Sequence, residues 1–161
     1  MEIPESRLIK SEISLREMQL TDDVKMARKS LVRWLALAFG LISPKESRQS
    51  ILPLFEAILY YHLKEKRDPN YEDITEYLKR EGIEINEKTI RYHLTQMRKA
   101  GILENSRGTY RLSWFSGGDM NNSLDDYYTK RCSAAVATIK EALDALRKLQ
   151  ETADGGQVNS Q

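Results

Sequence analysis

The stretch of sequence that decides the fold spans residues 86–103 and reads NEKTIRYHLTQMRKAGIL. Three apolar residues recur in it at helical spacing and can pack one side of a helix on a core: Ile90, Leu94 and Met97. Asn86 can cap the start of that helix, and Gly101 can end it in a left-handed conformation. The stretch therefore predicts a helix over residues 86–100 whose other faces carry cations, amides and an aromatic ring.

The residues after this helix predict a two-stranded hairpin. Residues 102–104 favour a strand, and residues 109–114 (Thr-Tyr-Arg-Leu-Ser-Trp) are rich in strand-forming types. Between them, the polar and glycine residues 105–108 supply the chemistry of a tight turn. A helix with a cationic outer side, followed at once by a small hairpin, is the second half of a winged helix-turn-helix.

Two further helices are predicted before this one. Residues 53–66 carry apolar side chains at helical spacing, and an Asp-Pro pair ends the pattern. Asn70 can cap a second helix, which Gly82 ends. These elements predict a mainly α-helical fold with a small β-wing, a winged helix-turn-helix domain over residues 53–115, flanked by N- and C-terminal helices.

The segments Thr89–Leu94 and Ala100–Leu103 resemble the recognition-helix signature of ArsR- and MarR-like winged-helix regulators of the archaeal type. The resemblance covers residues 53–114 and implies a DNA-binding transcription regulator. The positions that it implies to face DNA are Asn86, Lys88, Arg91, Tyr92 and Gln96 on the helix and Arg107 on the wing. The metal-sensing pattern of ArsR regulators does not carry over, because the chain has one cysteine and two distant histidines.

The side chains of residues 86–107 suggest how a duplex would be contacted. Arginine suits guanine and glutamine suits adenine in bidentate contacts, so Arg91 and Gln96 are the expected base readers. The residues expected to contact phosphates are Lys88, Tyr92, Lys99 and Arg107. Thr95 also lies outside the apolar stripe and belongs to the expected DNA-binding residues. The helix would enter the major groove, and the wing, residues 104–112, would lie on the backbone or in the minor groove.

The charge distribution supports this interpretation better than the total charge does. The 161-residue chain has a formal net charge of only +1. Residues 86–111, however, carry an excess of basic residues, whereas residues 68–84 carry an excess of acidic ones. The chain is therefore polarised, and its positive part coincides with the predicted helix and hairpin.

The segment before the winged domain predicts a helical extension. Residues 1–20 alternate polar and apolar types over 9–15, which indicates either a short strand or a loosely ordered arm. Residues 21–52 are expected to be helical, with Thr21 as the first cap and a second start at Ser43. Two residues of the first apolar face are expected at a subunit interface: Leu31 and Leu35.

Residues 119–150 predict a long C-terminal helix for dimerisation. Its apolar seam repeats at spacings of four and three, as in a short coiled coil: Cys132, Val136, Ile139, Leu143 and Leu146. The seam can pack on the N-terminal helix of the same chain or on its copy in a partner. We expect a homodimer, because regulators of this type bind a two-fold symmetric DNA site with two DNA-binding domains. The polar residues 151–161 predict a disordered tail.

The sequence carries no enzyme pattern. It has no glycine-rich phosphate loop, paired catalytic carboxylates or nucleophile motif, so no catalytic residue is expected. His62 and His93 are expected to pack or to form hydrogen bonds, and no metal or other cofactor is predicted. The lone Cys132 suits a reducing cytosol. No signal peptide is visible and the apolar run 31–42 is too short to span a bilayer, so we expect a cytoplasmic protein with no membrane contact.

The leading interpretation is a sequence-specific transcription regulator that binds double-stranded DNA as a homodimer, with basal transcription factors as further candidate partners. Two alternatives remain open. One is a winged-helix interaction module of a transcription or chromosome complex, whose basic face docks on acidic protein. The other is an architectural protein that binds DNA with little sequence preference. Sequence selectivity and salt dependence separate the three.

Overall fold

The computed structural model describes residues 1–46, 49–117 and 119–159, with side chains up to residue 153. It divides into two compact units, Met1–Ser123 and Leu124–Gln161. The described residues are mainly α-helical and include a two-stranded antiparallel sheet. The elements in chain order are α1 Asp22–Lys25, α2 Arg28–Ala38, α3 Ile51–Tyr60, α4 Tyr71–Arg80, α5 Glu87–Lys99, β1 Leu103–Ser106, β2 Thr109–Leu112 and α6 Met120–Asn159.

Helix α3 is the centre of the larger unit. Seven of its ten residues are buried, and Leu54, Phe55 and Ile58 are completely inaccessible. A helix that is apolar on nearly every side has to be covered on every side. The covering elements are α2, α4, α5 and β2. The position of α5, which carries most of the predicted site, is therefore set by its packing on α3.

The start of α3 differs from the prediction. The helix begins at Ile51 rather than at Pro53, because the third residue of a helix needs no backbone donor and tolerates proline. The helix predicted to start at Ser43 is absent from the described residues around it, and residues 47–48 lie outside the described part. The Ser43 N–H does donate to the Glu46 carboxylate at 3.1 Å, but this bond closes an isolated turn.

The middle elements match the sequence prediction closely. The side chain of Asn70 caps α4 in a reciprocal capping box with Asp73, and Gly82 follows the helix with φ 72°. The apolar face of α4 is buried as a set: Ile74, Tyr77 and Leu78. A short connection then leads to Asn86, whose side chain accepts the Thr89 N–H at 2.8 Å and caps α5.

The hairpin is antiparallel, with Leu103 paired to Leu112 and Ser106 paired to Thr109. Both residues of its turn have positive φ, 53° at Arg107 and 80° at Gly108, as in the primed turns that suit twisted two-residue hairpins. The Tyr110 N–H donates to the Pro69 carbonyl at 2.8 Å, which ties β2 to the residues just before α4.

The N-terminal segment is an arm without a strand. All of residues 1–20 are described, and they contain a short 3₁₀ turn, Pro4–Leu8, followed by chain without regular secondary structure, so the strand alternative for 9–15 is wrong. The arm is fixed by Arg16, whose guanidinium donates to the carbonyls of Leu37 (2.6 Å) and Ile42 (2.9 Å). Leu37 lies in the last turn of α2 and Ile42 follows that helix, so the two bonds attach the arm to the C-terminal end of α2.

The predicted N-terminal helix is interrupted. Thr21 caps the single turn α1, and the chain then becomes extended at Ala27 before α2 begins. After this break, Val32 and Ala36 are the buried residues of α2. Leu31 and Leu35, predicted at a subunit interface, are half-buried within their own unit.

Helix α6 is longer than predicted. It extends to Asn159, so the disordered tail predicted from residue 151 is helical up to 159; residues 160–161 lie outside the described part. No proline follows residue 150, and extending an existing helix adds one hydrogen bond for each residue fixed. Throughout the described residues, no helix combines the length and apolar character needed to cross a membrane.

Candidate nucleic-acid interface

Helix α5 separates its apolar and polar residues onto opposite sides. Ile90, Leu94 and Met97 are buried, as their spacing predicts. Six of the predicted DNA-facing residues are exposed, and at 100° per residue they fall on one continuous face opposite the buried stripe: Lys88, Arg91, Tyr92, Thr95, Gln96 and Lys99. We refer to these six residues as the α5 face.

Tyr92 is the unusual member of the α5 face. Its side chain is 59% exposed in the middle of a helix that buries three aliphatic residues. Its ring lies edge-on to the neighbouring His93 imidazole, at 5.5 Å between centroids. An exposed aromatic ring among cations can pack on a sugar while its hydroxyl reaches a phosphate.

Asn86 has a structural role at the start of helix α5. Its side-chain oxygen is committed to the Thr89 N–H, which satisfies one of the free donors of the first helical turn. The amide nitrogen of Asn86 is the part that a ligand could still contact. The sequence prediction therefore placed a capping residue in the DNA-facing set.

Arg91 is held by two neighbours. Its Nε donates to the Glu87 carboxylate at 2.9 Å, one helical turn earlier, and its guanidinium lies 4.2 Å from the centre of the Tyr71 ring. The hydrogen bond to Glu87 raises the pKa of Arg91, so the guanidinium stays charged. These contacts orient the arginine, and the Glu87 carboxylate offsets its positive charge.

The hairpin tip adds a further cation. Arg107 is exposed at the turn, and the neighbouring Gly108 has open space where a side chain would stand. A shallow cavity of about 420 Å³ lies along the strands below, lined by residues of both strands and by Asp68. Arg111, also on this side, is neutralised by Asp68 at 2.9 Å.

The remaining cations of the region have no acidic partner among the described residues. Lys88 and Lys99 on α5, Arg98 near its end and Arg107 on the hairpin form none of the ion pairs found there. Elsewhere in the unit, Arg28 pairs with Glu56 and Glu81, whereas Arg33 and Arg80 also form none of these ion pairs. Lys88, Lys99, Arg98 and Arg107 thus supply unpaired positive charge on α5 and the hairpin turn, although such charge is not confined to them.

Two histidines support the region without forming a metal site. His62 is completely buried and stacks on Phe115 at 4.0 Å; its Nε2 accepts the Leu112 N–H, and its Nδ1 donates to the Arg67 carbonyl. His93 Nε2 lies 2.7 Å from the Ser50 hydroxyl. Both histidines therefore form hydrogen bonds, as predicted. In the described residues no group of three metal-ligating side chains comes together.

The residues that sequence reasoning missed are those that hold two arginines of the region: Tyr71 and Glu87 contact Arg91, and Asp68 pairs with Arg111. The Glu87–Arg91 pair could have been predicted from its i,i+4 spacing alone. The contacts of Tyr71 and Asp68 join residues far apart in the sequence, and no local pattern marks them.

The predicted dimerisation seam lies on the second unit. All five of its side chains, Cys132, Val136, Ile139, Leu143 and Leu146, are exposed. Ile139 and Leu143 retain 56% and 61% of their accessible surface, which is unusual for aliphatic residues repeated along one helix face.

Comparison of the chain with family models, with curated proteins and with solved structures gives no significant match in any of the three. The inference about function therefore depends on the geometry and chemistry of α5, the hairpin and α6.

Proposed function

We propose that the chain is a sequence-specific, DNA-binding transcription regulator of the winged helix-turn-helix type that acts as a homodimer and has no catalytic role. Helix α5 would enter the major groove, and the hairpin would act as the wing on the backbone or in the minor groove. The single observation that carries the proposal is the α5 face. It combines unpaired cations, an amide and an exposed aromatic ring on a helix whose opposite side is buried in the core.

The chemistry of the α5 face favours specific over purely electrostatic binding. Lys88 and Lys99 can contact phosphates, whereas the oriented Arg91 and the amide of Gln96 are suited to base edges. A protein that only neutralises phosphates has no need of an arginine fixed by Glu87 and Tyr71. This observation favours the regulator over an architectural DNA-binding protein.

The rival proposal, an interaction module that docks on acidic protein, uses the same cations. Such a surface would need charge but not the planar hydrogen-bonding groups of Arg91 and Gln96. The interaction-module proposal therefore predicts that no DNA sequence is enriched.

Selection from a pool of random DNA duplexes tests the proposal. The wild-type chain should enrich a defined site, and Gln96→Ala should alter the enriched base at one position. Lys29→Ala on α2, an equally exposed helical site away from the α5 face, is the matched control and should leave the enriched site unchanged. Failure of the wild-type chain to enrich any sequence would refute the proposal.

A further inference from the structure

The apolar face of α6 is wider than a two-stranded seam requires. With Val136 and Leu143 at position a of a heptad, Ile139 and Leu146 occupy position d, and position g is also apolar throughout. The resulting stripe consists of Ala135, Val136, Ile139, Ala142, Leu143, Leu146 and Leu149. Every side chain from residue 132 to residue 153 is exposed, and no described residue of the second unit covers the stripe.

We propose that a second copy of the chain covers this stripe, with the two α6 helices antiparallel. This inference deepens the proposed function, because it concerns how the proposed homodimer is assembled. In the arrangement that we infer, Val136 faces Leu146 of the partner subunit, and Ile139 faces Leu143 of the partner subunit.

A parallel pair fits the sequence poorly. Parallel two-stranded coiled coils favour a β-branched residue at a and leucine at d. Val136 at a and Leu146 at d fit this preference, but the two central positions reverse it, with Leu143 at a and Ile139 at d. In a parallel pair, position g of one helix also lies beside position e of the other. Positions g are Ala135, Ala142 and Leu149, and the facing e positions include Lys140 and Arg147, so no opposite charges would meet there.

The antiparallel pair is complementary in shape. Its two-fold axis passes near residue 141, so each g position faces a g position of the other helix. The small Ala135 then faces the large Leu149 of the partner subunit, and Ala142 faces its own copy on the axis. Matching small to large residues across a symmetric interface lets the helices approach closely along the whole stripe.

The antiparallel pair is also complementary in charge. The one close pair of like charges would be Lys140 and its copy near the axis. Asp144 follows Lys140 by one helical turn, and its carboxylate already pairs with Arg147 at 2.6 Å and with Lys148 at 3.2 Å in its own helix. Antiparallel packing also brings this carboxylate beside Lys140 of the partner subunit, so Lys140 obtains an acidic neighbour near the axis.

The chain provides a direct test, since Cys132 is its only cysteine. In the antiparallel pair Cys132 lies opposite Gln150 of the partner subunit, in the same layer of the interface. The two Cys132 residues would be about 27 Å apart, from 18 residues of helical rise, far beyond the roughly 7 Å limit for Cα atoms in a disulfide.

Three full-length proteins are oxidised mildly after their masses are measured by light scattering: wild type, Gln150→Cys, and Gln150→Cys combined with Cys132→Ser. We expect all three to have at least dimeric mass. Only the single variant Gln150→Cys, which holds both cysteines, should form a covalent dimer, because each of the other two proteins has one cysteine far from its copy.

Efficient cross-linking of the wild type would show a parallel pair and overturn the antiparallel assignment. A monomeric mass would overturn pairing through α6 altogether. A monomeric mass would also contradict the homodimer part of the proposed function, but neither result would decide whether the chain selects DNA, because that is measured separately with the random duplex pool. Failure of the inference and failure of the proposed function are therefore distinguishable.

Discussion

The imidazole of His62 accepts the backbone N–H of Leu112 at 3.0 Å, with both residues fully buried. The other ring nitrogen donates to the Arg67 carbonyl at 3.1 Å, so the neutral ring uses both of its nitrogens. His62 lies in the π-helical turn Tyr61–Glu65, which directly continues α3, and it thereby attaches strand β2 to the end of that helix. A protonated ring would have two donors and could no longer accept the Leu112 N–H.

The first prediction concerns pH. Burial lowers the pKa of His62, and burial also lowers the pKa of His93. Both groups therefore bind protons more readily in the unfolded chain. Their contribution to stability is complete above about pH 6.5 and is lost as the pH falls below that value, by at most about 1.4 kcal/mol per pH unit for each histidine. Chemical denaturation between pH 7.5 and pH 5 measures the slope.

Two variants show how much each histidine contributes to the pH dependence of stability. His62→Phe should lower stability at pH 7.5, since the Leu112 N–H loses its acceptor, and should flatten the dependence between pH 7 and pH 5. His93→Gln should remove the part of the pH dependence that His93 causes, independently of His62. A wild-type stability that is constant over this range would contradict the assignment of both histidines as neutral in the folded chain.

The contrast between His62 and the helix caps shows what the sequence can predict. Asn70, Asn86, Gly82 and Gly101 act within a few residues of their own positions, and each was predicted correctly. The capping pattern at Ser43 was misleading, because the same bond to Glu46 also stabilises an isolated turn.

The contacts that orient the candidate site depend on the folded chain. His62 and Leu112 are 50 positions apart, and Arg111 and Asp68 are 43 apart. Such pairs are decided by how α3, α4 and the hairpin pack together. Local periodicity predicts which face of α5 is exposed, but it does not predict that Tyr71 lies against Arg91.

The second prediction concerns Arg91. Arg91→Ala should weaken binding to the selected site roughly 5- to 150-fold and relax the preference at one base pair. The fold should survive, because the guanidinium is exposed. Arg33→Ala, an exposed arginine on α2, is the matched control. Anisotropy titrations on the selected duplex and on single-base variants measure the effect, and an unchanged affinity would exclude Arg91 as a base reader.

The third prediction concerns the carboxylate that holds Arg91. Glu87→Gln removes a negative charge from the edge of the α5 face and releases the guanidinium. Affinity for random duplexes should rise, with a steeper dependence on salt, and the ratio between selected and random sites should fall. Glu141→Gln on α6 is the control for loss of one acid. If random binding does not change, the Glu87–Arg91 pair has no part in discrimination.

The fourth prediction concerns the hairpin turn. Arg107 has φ 53°, a conformation that asparagine adopts more readily than alanine does, so Arg107→Asn removes the charge while keeping the turn. Affinity should fall about equally on selected and random duplexes, and the salt slope should shrink by about one unit. Arg107→Lys should restore most of the binding. A loss confined to the selected site would mean that this arginine reads sequence.

The most direct test of the central claim compares the wild-type chain on its selected duplex with a shuffled duplex of the same composition, each titrated at several salt concentrations. A regulator that reads sequence through α5 should prefer the selected duplex by at least about 10³-fold at physiological salt. A ratio close to one at every salt concentration would contradict sequence-specific recognition, whatever the absolute affinity.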